Sequence, residues 1–256
     1  MLHYKFQVPE NSKKLRGQLF TFLYANCDVK TITKSTEIEK NRILAFSHPF
    51  DDWVFDAITK DKDINFFHLD NGYIGNKLHK RPMYYRVSYN SLQNIKVKPH
   101  KSSRKHLLEI DKDLWADWDS GGDYNLLVMP NQSNIFKYMG QDYTIWRDKT
   151  IKYYEGQGPL VVREKIGKRK QRWQEILPMM KKAKKIITYH SMAAVEALCL
   201  GKPIEILGQS VVQHWQNQFG FDRGEMLEHI AWSQFSREEY EDGTAWRCTF
   251  DYQVEQ

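Results

Sequence analysis

Residues 187–203 read ITYHSMAAVEALCLGKP, and this stretch decides the fold class. The apolar run at its start predicts a buried strand over 185–189, and the small and apolar residues that follow predict a helix over 191–200. Gly201 ends this helix, and Pro203 begins the next strand, predicted over 203–207. Strand, helix and strand in such close succession are typical of α/β proteins with parallel sheets.

The same alternation is present on the N-terminal side of this stretch. Further strands are predicted over 42–47, 64–69, 84–89, 124–129 and 159–163, and further helices over 52–60, within 133–154 and over 172–182. The less regular segment 91–123 is interpreted as a connection. We therefore predict an α/β fold of two small Rossmann-like halves with parallel sheets, residues 1–120 and residues 121–256.

The composition is that of a globular protein. At 256 residues and 41% hydrophobic content, the chain can form one large core or two small ones. No apolar run approaches the roughly 18 residues of a membrane span, and the first residues lack the apolar core of a secretory signal. The three cysteines are an odd number, and their spacing is not that of a metal site. We expect a cytoplasmic protein without a membrane span, a metal site or a disulfide framework.

The net charge of +6 is distributed unevenly. Residues 96–106 carry five Lys or Arg and no acid, and residues 165–185 carry nine against the single Glu175, so the rest of the chain is acidic. Local positive charge of this kind suits an anion such as a nucleotide diphosphate or a nucleic-acid backbone. Lysines on exposed helix faces also serve solubility, which is the alternative interpretation.

The stretch 187–203 also contains the main candidate for a binding site. The predicted strand delivers His190 and Ser191 to the carboxyl edge of the sheet, where open α/β folds bind ligands. Ser191 is predicted to cap a helix whose first backbone N–H groups suit a diphosphate. Glu196 follows about one and a half turns later, from where its carboxylate could accept hydrogen bonds from a ribose. Alternatively, the stretch simply encodes a helix, its glycine end and a proline-started strand.

Ser191, Glu196-Ala197-Leu198 and Gly201-Lys202-Pro203 resemble the donor-binding signature of two-Rossmann-domain (GT-B) glycosyltransferases, especially bacterial polysaccharide transferases. The match departs from that signature at His190, where the family has a serine, and by one additional residue before the glutamate. The resemblance implies a GT-B-like fold, a nucleotide-sugar co-substrate such as a UDP-sugar, and no further cofactor. It also implies that Ser191 contacts the donor phosphates and that Glu196 contacts the ribose.

Two further segments of the second half are candidate donor contacts. Arg163 and Lys165 follow a predicted strand at the same carboxyl edge, where paired cations could bind a diphosphate and stabilise it as a leaving group. With these cations and a helix terminus, no divalent metal ion is required. The loop 129–134 follows another strand, and Ser133 in it could contact phosphate or sugar, although loops of this composition are common.

The first half is expected to supply the acceptor side and the base. An inverting glycosyltransferase needs a base that deprotonates the acceptor hydroxyl. Asp70 is our candidate because it follows a predicted strand, whereas Asp51 is explained as a helix cap. The alternative for Asp70 is an Asx-type turn with Asn71-Gly72, and a retaining enzyme would use Asp70 differently. The candidate acceptor contacts are Tyr73, Arg86 and Asn90.

A wider resemblance covers residues 42–247. Segments 70–75, 84–90, 231–236 and 243–247, together with the stretch around His190, are similar to a family of short proteins found mainly in bacteriophages and marine metagenomes. Members of that family look like compact GT-B transferases. The resemblance implies the same architecture and, for a phage-encoded chain, a location in the host cytoplasm.

Three functions fit these features. The first is transfer of a sugar to hydroxymethylated pyrimidines in phage DNA, with both basic segments beside one groove and aromatic side chains that stack on a displaced base. The second is transfer to a glycan or lipid-linked saccharide, since aromatic side chains also suit sugar rings. The third is a nucleotide-binding module without catalysis. The aromatic side chains in question, which are otherwise core residues, are Tyr84, Tyr85, Tyr89, Trp115 and Trp118.

Overall fold

The chain folds into two compact units. One contains Met1–Leu108 and Glu228–Gln256, and the other contains Glu109–Leu227. The structure, a computed structural model, describes residues 4–47, 51–75, 84–93, 103–108, 114–130, 140–164, 173–189 and 192–250. None of the helices in these ranges is long and apolar enough to cross a membrane.

The first unit is built on one six-stranded sheet. Its strands are β1 (Lys5–Pro9), β2 (Asp28–Ile32), β3 (Ile43–Ser47), β4 (Phe66–Asn71), β5 (Tyr84–Tyr89) and β10 (Gln234–Ser236), in the order β10-β5-β4-β3-β1-β2. Strands β1 to β4 are parallel. Contrary to the prediction of a parallel sheet, β5 runs antiparallel to β4 and β10 antiparallel to β5. The connection 72–83 is at the lower limit of length for the crossover that a parallel pair requires, and an antiparallel return needs no more.

Helices cover this sheet. They are α1 (Glu10–Asn26), α2 (Asp52–Lys60), α7 (Arg237–Glu241) and α8 (Thr244–Thr249). Alternate residues of the strands pack with α1 and α8 in an aromatic core, in which Trp246 is fully buried and donates from Nε1 to the Leu19 carbonyl at 3.1 Å. The sequence analysis did not predict β1, α1 and β2. The apolar residues of α1 are concentrated in 19–24, which hides its helical period.

The second unit contains a four-stranded parallel sheet. Its strands are β6 (Tyr124–Val128), β7 (Leu160–Arg163), β8 (Ala183–Thr188) and β9 (Ile204–Ile206), in the order β7-β6-β8-β9. Its helices are α3 (Tyr143–Glu155), α4 (Trp173–Lys182) and α5 (Ala193–Cys199), and α6 (Arg223–Ala231) spans the boundary between the units. The predicted strands of this half are present, with small shifts at their ends. The order β7-β6-β8-β9 repeats the order β2-β1-β3-β4 of the first unit, so both units have a Rossmann-like core.

The C-terminal segment Glu228–Gln256 belongs to the first unit. This differs from the prediction from sequence, which places it in the second half, residues 121–256. In the structure, β10 pairs with β5, and Phe235, Tyr240 and Trp246 lie in the core of the first unit. Strand pairing between such distant parts of the chain leaves no trace in local periodicity.

Candidate functional site

An ion pair between Asp70 and Arg86 lies at the carboxyl edge of the first sheet. Asp70 is near the end of β4, and Arg86 is directly opposite it on antiparallel β5. Arg86 Nη2 is 2.9 Å from Asp70 Oδ2, and 24% of the Asp70 side chain is exposed. Arg86 is only 6% exposed. A buried guanidinium therefore holds a carboxylate that remains partly accessible.

Two further polar side chains hold Arg86. Its Nη1 donates to Gln93 Oε1 at 2.9 Å, and its guanidinium lies 4.7 Å from the centre of the Tyr73 ring. The Tyr73 hydroxyl donates to the same Gln93 oxygen at 3.3 Å. Burial disfavours the charged form of Arg86 and so lowers its pKa. Tyr73 and Asp70 outweigh this effect, and the pKa of Arg86 is raised. The structure thus brings Tyr73 and Arg86 next to Asp70 as its buried support.

A glutamine of β10 fixes the loop that follows Asp70. Gln234 Oε1 accepts hydrogen bonds from the backbone N–H groups of Tyr73, at 2.6 Å, and Ile74, at 3.0 Å, and Gln234 Nε2 donates to the Ile74 carbonyl at 3.0 Å. Gly72 allows this close packing, because a Cβ there would lie 2.8 Å from Tyr84 Cβ. Sequence reasoning missed Gln234, which no local signal connects to Asp70.

The surroundings of Asp70 favour its ionised form. Besides the Arg86 contact, Asp70 Oδ1 accepts a hydrogen bond from the Asn71 backbone N–H at 2.7 Å. Hydrogen bonds and an adjacent positive charge both stabilise a carboxylate. A partly exposed anion in this position can accept a proton from a hydroxyl group or stabilise a developing positive charge.

Asn90 is not brought to Asp70. Because β5 is antiparallel to β4, residue 90 follows the end of β5 at the opposite edge of the sheet. Its side-chain oxygen accepts from the Phe66 backbone N–H at 2.8 Å, and its amide donates to Asn65 Oδ1 at 2.8 Å. Asn90 adopts a positive φ of 49° there. It closes the turn beside the start of β4, which is a structural role.

The carboxyl edge of the second sheet is the other candidate site. Arg163, at the end of β7, is level with Val128 of β6, which in turn is level with Thr188 of β8. The chain order reverses direction between β6 and β8, and doubly wound sheets bind ligands at such a point. Burial lowers the pKa of Arg163, and Glu175 offsets this effect only partly. An anion bound here would stabilise the charge of Arg163.

The donor motif is described only in part. Lys165, His190, Ser191 and Ser133 lie outside the described residues. Helix α5 begins at Ala193, and Met192, rather than Ser191, occupies its N-cap position. Glu196 lies in the first turn of α5 and is 6% exposed.

Aromatic side chains also lie at this edge, and sequence reasoning missed them. Tyr189 directly follows β8, and its ring centre is 5.0 Å from that of Trp146, in the first turn of α3. Gly208, after β9, allows the Tyr189 ring to lie close, because a Cβ at Gly208 would be 3.1 Å from that ring. The available signal was the spacing of Tyr143 and Trp146, three residues apart at the start of a predicted helical segment.

Comparisons with known proteins agree with this architecture. No protein-family model and no curated protein matches the chain. Among solved structures, it is similar to Thermosulfurimonas dismutans KpsC, beta Kdo 2,4 transferase, with a TM-score of 0.52 and 15% identity over 90% of each chain. The fold is GT-B-like. Thermosulfurimonas dismutans KpsC, beta Kdo 2,7 transferase, gives a TM-score of 0.48 at 11% identity, over 95% of this chain and 99% of that chain.

In this GT-B-like fold, Arg104 has a structural role in the first unit. In the sequence it belongs to the basic segment 96–106. Its Nη1 is 2.6 Å from Glu239 Oε1, its Nε donates to the Ala231 carbonyl at 3.2 Å, and its guanidinium lies over the Trp232 ring at 4.9 Å. The backbone N–H of Arg104 donates to Glu228 at 2.8 Å. Lys105 is exposed, and the lysines at 96, 98 and 101 lie outside the described residues.

Proposed function

We propose that the protein is a glycosyltransferase that moves a sugar from a nucleotide-diphosphate sugar to a hydroxyl group. The Asp70–Arg86 pair carries this proposal, since it presents an accessible carboxylate at the edge where α/β sheets bind ligands. The GT-B-like fold, shared with a solved Kdo transferase, supports it. The resemblance to short phage and metagenomic GT-B proteins supports the same class of enzyme.

The second unit binds the donor in this proposal. Arg163 supplies positive charge for the diphosphate, together with Lys165, and Glu196 accepts hydrogen bonds from the ribose. The partly exposed Trp146, which packs on the buried ring of Tyr189, provides aromatic surface for the nucleobase. A UDP-sugar is the first donor to test. The full set of proposed donor contacts, including residues outside the described ranges, is Arg163, Lys165, His190, Ser191, Glu196 and Ser133.

Asp70 acts on the acceptor. Its carboxylate takes the proton of the acceptor hydroxyl while the new bond forms between that oxygen and the anomeric carbon. The bond from the anomeric carbon to the phosphate oxygen breaks, and the nucleotide diphosphate leaves with the electron pair. Positive charge at Arg163 stabilises this leaving group.

The described residues favour a glycan acceptor over DNA. Tyr84 and Tyr85, proposed to stack on a displaced base, are buried in the first unit. Arg104 is engaged in ion pairing and ring contacts and is not available to a phosphate backbone. Trp115 and Trp118 belong to a segment with three aspartates and no Lys or Arg between residues 114 and 123. Hydroxymethylated DNA remains the alternative acceptor to test.

The decisive experiment is a transfer assay. The purified protein is incubated with a panel of nucleotide sugars and either oligosaccharides or hydroxymethylated DNA, and products are identified by mass spectrometry. We expect glycosylated oligosaccharide. Modified DNA would favour the alternative acceptor, and donor binding without product from either acceptor would contradict catalysis.

For the donor site, Arg163→Ala and the isosteric Glu196→Gln should each weaken nucleotide-sugar binding by about 1 to 3 kcal/mol, measured by calorimetry.

A further inference from the structure

An exposed aromatic surface lies on the second unit. It consists of Trp115, Trp118, Phe219 and Phe221. The centre of the Trp118 ring is 5.1 Å from that of Phe219 and 5.1 Å from that of Phe221. Trp115 is 46% exposed and Phe219 is 50% exposed. Trp118 and Phe221 are less exposed. Exposed aromatic rings that lie together mark a candidate binding surface.

Buried charged groups hold this surface in place. The Arg223 guanidinium lies 4.3 Å from the centre of the Trp118 ring and 4.8 Å from that of Trp115, and its Nη1 donates to the Cys199 carbonyl at 2.9 Å. Burial lowers the pKa of Arg223. Lys202 Nζ contacts Asp119 Oδ2 at 2.5 Å. The segment 114–122, which carries both tryptophans, is thus ordered before any ligand arrives, which reduces the entropic cost of binding.

The surface is separate from the candidate donor site. The backbone N–H of Ala116 donates to the Cys199 carbonyl at 3.1 Å, and that of Asp119 donates to the Gly201 carbonyl at 2.8 Å. These carbonyls lie at the C-terminal end of α5. Because α5 connects the parallel strands β8 and β9, this end lies at the amino edge of the sheet. Arg163 and Tyr189 lie at the carboxyl edge.

The segment that carries both tryptophans is acidic in sequence. Residues 114–123 include Asp117, Asp119 and Asp123 and no cation, and Asp222 follows Phe221. The two cations that hold the surface are buried. Asp119 is engaged by Lys202, whereas Asp117 is exposed and lies near Arg223. An exposed carboxylate disfavours a nucleic-acid backbone and accepts hydrogen bonds from hydroxyl groups.

We propose that this surface binds a neutral oligosaccharide. The rings of Trp115 and Phe219 stack on the apolar faces of sugar residues, and the exposed Asp117 accepts hydrogen bonds from the hydroxyl groups. Aromatic side chains supply large contact area at low entropic cost, and charge-assisted hydrogen bonds supply orientation. Binding requires neither a donor nor Asp70. Only its use to retain a glycan acceptor rests on the proposed function.

The test is a binding titration without donor. Neutral oligosaccharides of hexoses and N-acetylhexosamines are added to the ¹⁵N-labelled protein, and the tryptophan indole signals are followed by NMR. We expect the Trp115 signal to shift and the double variant Trp115→Ala/Phe219→Ala to bind at least about tenfold more weakly, a loss of about 1.4 kcal/mol. The control is Tyr153→Ala, which removes a 62% exposed ring of α3 and should leave the affinity unchanged.

Several results would overturn this inference. They are the absence of binding by the wild-type protein up to about 10 mM for every oligosaccharide, undiminished binding by the double variant, or displacement of bound sugar by single-stranded DNA. Asp70→Asn should bind the oligosaccharide like the wild type. A protein that binds sugar here and transfers none would contradict the proposed function alone, so the two proposals fail separately.

Discussion

Asp70 and Arg86 show how the role of a residue depends on its neighbour across a sheet. In the sequence, Asp70 follows one predicted strand and Arg86 lies within the next. In the structure, the β4–β5 register places them opposite one another, and Arg86 uses separate nitrogens for Asp70 and Gln93. Arg86 therefore acts through Asp70, as a positioning residue.

Asp70→Asn removes the charge and the basicity of the carboxylate at constant size. We expect turnover to fall by about 100-fold or more, the usual contribution of a positioned base. Donor affinity, measured by calorimetry, should remain unchanged. Asp63→Asn, at an exposed carboxylate in the same unit, is the matched control and should retain full turnover. Equal activity of the two variants would exclude Asp70 from the chemistry.

Arg86→Lys tests the positioning role. Lysine retains the charge, but a single ammonium cannot hold Asp70 and Gln93 in the planar geometry of a guanidinium. We expect kcat to fall by about tenfold or more while the donor Kd stays constant, and the pH profile of kcat to change with the altered surroundings of Asp70. A changed Kd with an unchanged pH profile would instead make Arg86 a ligand contact.

At the scale of elements, the packing at the end of helix α5 explains why the donor-like motif contains Gly201 and Lys202. Gly201 has a φ of +71°, and a Cβ there would lie 2.0 Å from the Asp117 carbonyl oxygen. Lys202 is buried and binds Asp119. The Gly-Lys pair therefore docks the segment 114–122 onto α5. This half of the motif stabilises the fold and lies away from the ligand-binding edge.

Gly201→Ala should consequently destabilise the protein by more than the cost of its backbone conformation. Gly140 provides the control, because its φ is +67° and a Cβ there meets no atom within 4 Å. We expect Gly140→Ala to lower the free energy of unfolding by about 1 kcal/mol, from the positive φ alone. Gly201→Ala should cost several times as much by chemical denaturation. Equal losses would show that segment 114–122 can shift to accommodate the added methyl group with no further loss of stability.

The contacts of Arg104 connect segment 103–107 to α6 and α7. Burial raises the pKa of Glu228, but hydrogen bonds from Ser103, Arg104 and Trp232 outweigh it and lower that pKa below its ordinary value. Arg104→Ala leaves the partly buried Glu239 without this partner, so we expect a loss of about 3 kcal/mol in the free energy of unfolding. Lys105→Ala, at the exposed neighbour, should change stability by less than about 0.5 kcal/mol.

At the scale of the whole molecule, the chain leaves the first unit after Leu108, forms the second unit and returns at Glu228. The returning segment supplies the edge strand β10, the glutamine that fixes the Asp70 loop and much of the aromatic core. The candidate catalytic carboxylate therefore depends on residues from the C-terminal segment as well as on its own sequence neighbours.

Trp246→Ala tests this dependence. The side chain is fully buried, packs on Phe6, Phe20 and Phe67, and hydrogen-bonds the Leu19 carbonyl. We expect a loss of about 3 to 5 kcal/mol, with hydrogen exchange accelerated in β3 and β4 and unchanged in β6 and β8. Trp115→Ala, at an exposed ring, is the control. Uniform loss of protection in both units would show that they unfold as one.

The sequence by itself determined the strands of the second sheet and helices α3, α4 and α5. Buried parallel strands are short apolar runs, and the helix before Gly201 ends with a glycine signal, so both are readable from neighbouring residues. It also placed Asp70 near the carboxyl end of β4. Helix α1 was not predicted because its apolar residues do not form a regular stripe.

Only the tertiary structure decided the direction of β5, the return of Glu228–Gln256 to the first unit and the partners of Asp70. The antiparallel pairing of β4 and β5 places Arg86 beside Asp70 and Asn90 at the opposite edge of the sheet. The local sequence pattern shows Arg86 and Asn90 only as residues of, or next to, one strand. Gln234 and Arg104 owe their roles to contacts with residues far away in the sequence. Local periodicity records which face of an element is apolar, whereas strand order and direction follow from the packing of the whole chain.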